Sequence, residues 1–84
     1  MKKDLKFFRK KIDSIDYKIL KLLEKRMKIS KKIGEYKKIK NLNIKDANYE
    51  KELIKKRKEK TNLSSTFVQK FFDLILNESR RIQL

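Results

Sequence analysis

A basic side chain stands at a position where the pattern of the chain predicts an apolar one. From Leu5 onward, apolar residues recur at alternating spacings of three and four, as in a heptad seam, and this repeat places Arg26 on the buried side. Lys37 follows eleven residues later and points within about 20° of the same direction on a helix. The two cationic groups could therefore converge on one small anion.

The residues alone leave two interpretations of Arg26 open. A buried Arg must either pair with a carboxylate or face a ligand. The carboxylate would come from another helix, such as that of Glu50 or Glu52, and would set the register of the packing. Arg9 precedes Arg26 by seventeen residues, about 25 Å on a straight helix. Arg9 could therefore reach the same site only from a second chain packed antiparallel.

Other polar residues interrupt helical patterns in the second half of the chain. The apolar stripe of the last helix continues through Ser79 to Gln83, which either line a site or belong to a fraying end. Asp46 and Glu50 form an acidic pair four residues apart, suited to helix capping, a salt bridge or ligand contact. Gly34 lies within a helical stretch, where it marks either a close approach to the backbone or a tolerated defect.

The missing residue types narrow the chemistry of such a site. The chain has no Cys and no His, which excludes disulfides, thiolate zinc sites, Cys nucleophiles and His general bases. Cationic heads, a carboxylate and neutral donors together suit a small dianion. Such a site would work without covalent or acid–base chemistry, so electrostatics and orientation would have to supply the catalysis.

Three helices must position these residues, which makes the predicted fold all-α. The heptad pattern predicts a first helix from Leu5 to about Lys40, roughly 50 Å long. The stretch 41–45 breaks this pattern, and Asp46 is the predicted N-cap of a second helix that ends near Lys60. Cap candidates at 61–65 precede a third, amphipathic helix. With 38% hydrophobic residues in 84, the core is thin and oligomerisation is expected.

The charge of the chain is strongly positive. There are 26 Lys and Arg residues against 11 Asp and Glu, a formal net charge of +15, which favours anionic partners. Because Lys dominates and the Phe residues fall in apolar stripes, solvated helix faces explain this charge better than a nucleic-acid surface. No apolar run approaches the roughly 20 residues of a membrane span, and we expect a cytoplasmic protein.

Five short stretches, in order, resemble the motifs of the all-α class of chorismate mutases. They are FRKKIDSID at 8–16 against L-R-x-x-I-D-x-I-D, LLEKR at 22–26 against L-L-x-x-R, IGEYK at 33–37 against I-G-x-x-K, DANYE at 46–50 against D-x-x-R-E, and ILNES at 75–79 with Gln83 against I-x-x-x-S-x-x-x-Q. Each piece alone is weak, but the ordered set is specific. The resemblance covers nearly the whole chain and implies one helical domain over 1–84.

This resemblance implies an intertwined six-helix homodimer with two equivalent active sites. It also implies the Claisen rearrangement of chorismate to prephenate in the biosynthesis of Phe and Tyr, without metal or cofactor. By position, Arg26 and Arg9 of the partner subunit would clamp the two substrate carboxylates. The same fold used as an isochorismate pyruvate lyase is a close alternative, and a basic module that binds nucleic acid is a more distant one.

The remaining site residues are also carried over by position from the resemblance. Lys37 and Gln83 would donate to the ether oxygen, where negative charge develops as the bond breaks. Glu50 would accept from the ring hydroxyl, while Ser79 and the backbone near Asp46 would help to hold a carboxylate and the hydroxyl.

One position departs from the family's pattern. Tyr49 stands where D-x-x-R-E has an Arg. Its ring could line the site, or the charge of Lys45 or Lys51 could replace the missing one. We expect weaker substrate binding rather than lost chemistry.

Overall fold

Three α-helices account for most of the chain. The computed structural model describes residues 2–84, with side chains from Lys3 onward; Met1, which the one-domain prediction includes, lies outside the described residues. The helices are α1 at Lys2–Ile39, α2 at Ala47–Glu59 and α3 at Ser65–Gln83. The predicted all-α class, the long first helix and both breaks are confirmed. No helix in the described part combines the length and apolar content that crossing a bilayer requires.

Local hydrogen bonds explain why each helix ends or begins where it does. Asn41 takes the left-handed conformation, with φ 57°, and the amide of Leu42 donates to the carbonyl of Lys37 at 2.8 Å. This is the Schellman arrangement, in which Asn tolerates the left-handed position after a helix. Asp46 and Ser64 are the N-caps of α2 and α3, and their side chains accept from backbone amides three residues ahead. Asp46 is therefore the cap that its position predicted.

Helix α3 holds the fold together because it packs against both other helices. Within residues 2–84, α1 and α2 each contact α3 but do not contact each other at backbone range. The core is small: Leu53 and Ile54 of α2 meet Leu76 of α3, with Phe72 packed beside them. A gap is left between α1 and the beginning of α2, with α3 as its floor.

The first half of α1 extends beyond the other two helices. The longest dimension of the molecule is 58 Å, close to the roughly 57 Å that 38 helical residues span. The radius of gyration is 16.6 Å, against about 12 Å for a compact domain of this length. The apolar seam residues here are 42–65% exposed; they are Leu5, Phe8, Ile12, Ile15, Ile19 and Leu22. A second helix could pack on such a seam.

Gly34 is the point of closest approach between α1 and α3. A Cβ atom on Gly34 would lie 2.7 Å from the Cα of Gln83 and 2.8 Å from its carbonyl oxygen. Because both atoms belong to the backbone, they could not move aside without shifting α3. Of the two interpretations left open by the sequence, close approach to the backbone is therefore confirmed, and the approaching group is the last turn of α3.

Gly34→Ala is expected to destabilise the chain by about 1–3 kcal/mol, because the added methyl group would overlap the backbone of Gln83. In an open helix the same change would stabilise by up to about 1 kcal/mol, so the sign of the effect is diagnostic. Urea unfolding followed by circular dichroism measures it, with Glu35→Ala at the exposed neighbouring position as control. A gain in stability for Gly34→Ala would contradict the close packing of α1 on α3.

Candidate active site

A cavity of about 210 Å³ occupies the gap between α1 and α2. Helix α1 forms one wall, the loop before α2 and its first turn form the other, and α3 forms the floor. The lining residues are Arg26, Ile29, Ser30, Ile33 and Lys37 of α1, Ile44, Asp46, Tyr49 and Glu50 around the start of α2, and Leu76, Ser79, Arg80 and Gln83 of α3. Those of α1 recur at three and four residues, so one helix face lines the wall.

Most of the residues singled out by the sequence meet in this cavity. Six of them line it: Arg26, Lys37, Asp46, Glu50, Ser79 and Gln83. The seventh, Arg9, does not. It lies on the exposed first half of α1, about 25 Å along the helix from Arg26, where it lines a separate shallow depression with Leu5 and Asp13. A single chain therefore brings together every predicted site residue except Arg9.

Arg26 enters the cavity without a carboxylate partner. Among the described side chains it forms no ion pair with Glu50 or Glu52, the partners expected for a structural role. Partial burial lowers the pKa of the Arg26 guanidinium; the phenol of Tyr49 opposes this shift and the cation of Arg57 adds to it. The group stays charged at neutral pH. A partly desolvated cation of this kind is poised to bind an anion.

Glu50 pairs with a residue that the sequence did not single out. Its carboxylate accepts a hydrogen bond from Nη1 of Arg80, whose Nη2 donates to the side-chain oxygen of Asn77. The two side chains of this ion pair are mostly buried, with 24% of Arg80 and 17% of Glu50 exposed. The pair joins α2 to α3 at the wall of the cavity.

Lys37 and Asp46 each make a hydrogen bond at one side of the segment that connects α1 and α2. The ammonium group of Lys37 donates to the carbonyl of Ile44 at 2.5 Å. The carboxylate of Asp46 accepts from the amide of Tyr49 at 3.1 Å as the cap of α2. The first contact fastens the segment to α1, the second caps α2, and the Lys37 head lines the cavity.

A chain of hydroxyl and amide groups crosses the floor of the cavity. The hydroxyls of Ser30 and Ser79, which are 3% and 7% exposed, lie 2.6 Å apart, and Nε2 of Gln83 lies 3.3 Å from that of Ser79. The other amide atom, Oε1 of Gln83, is buried and has no hydrogen-bond partner among the described residues. Ser79 and Gln83 are therefore packed against α1 rather than frayed.

Sequence reasoning missed two of the polar residues in the cavity. Ser30 lies four residues after Arg26, and Arg80 lies four residues after Leu76, so helical spacing could have placed both on the inner faces. Neither lies on the apolar rows that pass through Arg26 and Ile29 or through Ile75 and Ser79, so those rows do not single them out.

The residues around Tyr49 differ in whether they line the cavity. The predicted contribution of the Tyr49 ring agrees with its place in the lining. The two lysines considered as substitutes for the missing Arg, Lys45 and Lys51, do not line the cavity but lie on an outer surface between α2 and α3. Both are exposed, and neither lies in the lining beside Tyr49.

This arrangement can bind and orient an anion. The cavity offers cations and hydrogen-bond donors, with Cys and His absent from the chain. A larger depression, of about 640 Å³, lies on the outer side of α2, but its lining of Lys51, Lys55 and Lys58 belongs to an open surface. The smaller cavity is the candidate active site because partly buried charged and polar groups converge there from all three helices.

Comparison with known proteins finds two relatives that carry the same name. The chain is 40% identical over 81 residues to a bifunctional chorismate mutase/prephenate dehydratase of Buchnera aphidicola subsp. Schizaphis graminum, and 38% identical over 78 residues to the protein of the same name from Buchnera aphidicola subsp. Acyrthosiphon pisum. These matches cover 93% and 89% of this chain. The chain spans only about a fifth of the length of these relatives, 21% and 20%.

A solved structure has the same fold. It is described as a conserved hypothetical protein from Pyrococcus furiosus, is 38% identical, and superposes with a TM-score of 0.81 over 95% of both chains. The family model for chorismate mutase type II matches residues 8–84, nearly all of the sequence. From this match and the identity to the two Buchnera proteins, we conclude that the chain belongs to the chorismate mutase type II family.

Proposed function

We propose that this protein converts chorismate to prephenate in the cavity between α1 and α2. The observation that carries the proposal is the convergence of Arg26 and Lys37 with Glu50, Ser79 and Gln83 in one cavity. Their chemistry suits a substrate with two carboxylates, a ring hydroxyl and an ether oxygen. Membership of the family supports the same reaction.

The rearrangement needs no acid, base or nucleophile. One carbon–oxygen bond of the enolpyruvyl ether breaks while a carbon–carbon bond forms, and electrons move around a ring of six atoms without proton transfer. Negative charge builds on the ether oxygen in the transition state. The protein therefore contributes by holding the reactive conformer and by placing donors at that oxygen, which is the work of Lys37 and Gln83.

The unpaired oxygen of Gln83 supports this role. In the present arrangement Nε2 is turned to Ser79 and Oε1 is buried without a partner. A half-turn of the amide would let Oε1 accept from the Ser79 hydroxyl, while Ser30 donates to Ser79 in turn. Nε2 would then be free to donate into the cavity. The buried hydroxyls of Ser30 and Ser79 thus satisfy Oε1 of the amide while its Nε2 donates to the substrate.

The remaining carboxylate clamp is assigned to a second copy of the chain. Arg9 lies about 25 Å from Arg26, and the seam around it is exposed. In an antiparallel dimer built on this seam, Arg9 of the partner subunit would reach the open side of the cavity. The small volume of the cavity, below the roughly 300 Å³ of common ligand pockets, fits a site that a partner completes.

Arg26→Ala and Lys37→Ala are each expected to cost on the order of 3 kcal/mol of transition-state stabilisation, or about 100-fold or more in kcat/KM. The assay follows the loss of chorismate absorbance at neutral pH and identifies the product. Lys25→Ala and Lys38→Ala remove the same charge from exposed neighbouring positions and should retain wild-type activity.

Three outcomes would contradict this account. Full activity of both cavity variants would show that the site is misassigned. Consumption of isochorismate with release of pyruvate, without prephenate from chorismate, would favour the lyase. A folded wild-type protein that acts on neither substrate, and whose binding to nucleic acid weakens steeply with salt, would favour the basic module.

The pH profile of the wild-type enzyme should lack an acidic optimum, because the neutral amide of Gln83 donates at any working pH. Gln83→Glu should change this, since a carboxyl group donates only when protonated and its ordinary pKa is about 4.3. We expect its kcat to fall about tenfold per unit above the pKa of the new carboxyl. Gln69→Glu, the same change on the other end of α3, should leave the profile flat. A wild-type rate falling steeply above about pH 6 would contradict the role of Gln83.

A further inference from the structure

The ion pair between Arg80 and Glu50 has no place in the mechanism described so far. Arg80 lines the cavity, and its guanidinium is held on two sides, by the carboxylate of Glu50 and by the side-chain oxygen of Asn77. Only 24% of the side chain is exposed. A guanidinium anchored at both Nη atoms has little freedom, so its charge stays at the lining of the cavity.

The start of α2 lacks the cation that the family motif places there. Tyr49 occupies the position where the family motif has an Arg, and a phenol supplies no cation there. The lysines flanking this position, Lys45 and Lys51, lie outside the cavity. Among the described residues, the start of α2 therefore contributes no cation to the lining of the cavity.

The balance of charge shows what Arg80 contributes. The lining of the cavity holds three cationic side chains, of Arg26, Lys37 and Arg80, and two carboxylates, of Asp46 and Glu50. Without Arg80 the two carboxylates would cancel the remaining cations. A dianionic substrate would then meet a lining to which this chain contributes no net charge, and the Glu50 carboxylate would repel it.

We propose that Arg80 is a positioning and substrate-binding residue that replaces the cation lost at Tyr49. Its guanidinium holds the Glu50 carboxylate in place for the substrate hydroxyl, and it offsets the repulsion between that carboxylate and the dianion. Because Arg80 projects from α3 rather than α2, the cation enters the cavity from the floor instead of the wall. This inference rests on the proposed mutase function.

Four variants test the role of Arg80. Arg80→Met removes the charge but keeps much of the side-chain length, and Arg80→Lys keeps the charge but loses the two-sided anchor. Arg81→Met is the matched control, since Arg81 is the next residue and pairs only with Glu78 on the exposed side of α3. The double variant Tyr49→Arg with Arg80→Met returns a cation from the position that the family uses.

Each purified variant is assayed for kcat and KM on chorismate, for binding of prephenate by calorimetry, and for its melting temperature. We expect Arg80→Met to raise KM and weaken prephenate binding by about tenfold or more. Arg80→Lys should recover part of this loss. The double variant should recover most of it, and Arg81→Met should match the wild type in all kinetic constants.

Other results would overturn the inference. If Arg80→Met lowers the melting temperature but keeps the wild-type KM and prephenate affinity, Arg80 only ties α2 to α3. If Tyr49→Arg fails to rescue Arg80→Met, the two positions do not supply the same charge. Both results leave the mutase function standing. A wild-type protein that forms no prephenate would instead overturn the proposed function, and this inference with it.

Discussion

The close contact between α1 and the last turn of α3 is the constraint on which the rest of the structure depends. With no side chain at Gly34, the two backbones approach until the hydroxyls of Ser30 and Ser79 meet in a buried hydrogen bond. This contact sets Gln83 beside the face of α1 that carries Arg26. Helix α2, which does not touch α1 at backbone range, closes the cavity through its own packing on α3. The site is therefore only as well ordered as the packing of α3.

Charge is the second organising principle, and it operates at two scales. The net charge of +15 is spread over exposed helix faces, where water and salt screen it. In the cavity, a few partly buried groups matter far more because they are less screened. Arg26 has no carboxylate partner among the described side chains, whereas the cation of Arg80 is bound to Glu50. A reaction without proton transfer suits such a site, since fixed charges and donors can stabilise its transition state directly.

Much of the fold could be predicted from the sequence because long helices leave strong periodic signals. The seam of α1, the cap at Asp46 and the break at Asn41 follow from spacing and local hydrogen bonding, and all three are present. Arg26 was identified because it interrupts an apolar pattern. Arg80 was not, because its role depends on the distance to Glu50, thirty residues away on another helix. Pairing between helices is a property of packing that spacing along one helix does not report.

In the proposed dimer two chains build each active site, and mixing two inactive variants tests this sharing. Arg9→Ala and Arg26→Ala homodimers should each have little activity on chorismate. When the two are unfolded together and refolded, a mixed dimer has one site with both arginines intact and one site with neither. About half of randomly paired dimers are mixed, so the mixture should recover about a quarter of wild-type activity as prephenate. A mixture no more active than its two components, from chains shown to exchange, would contradict a site shared between subunits.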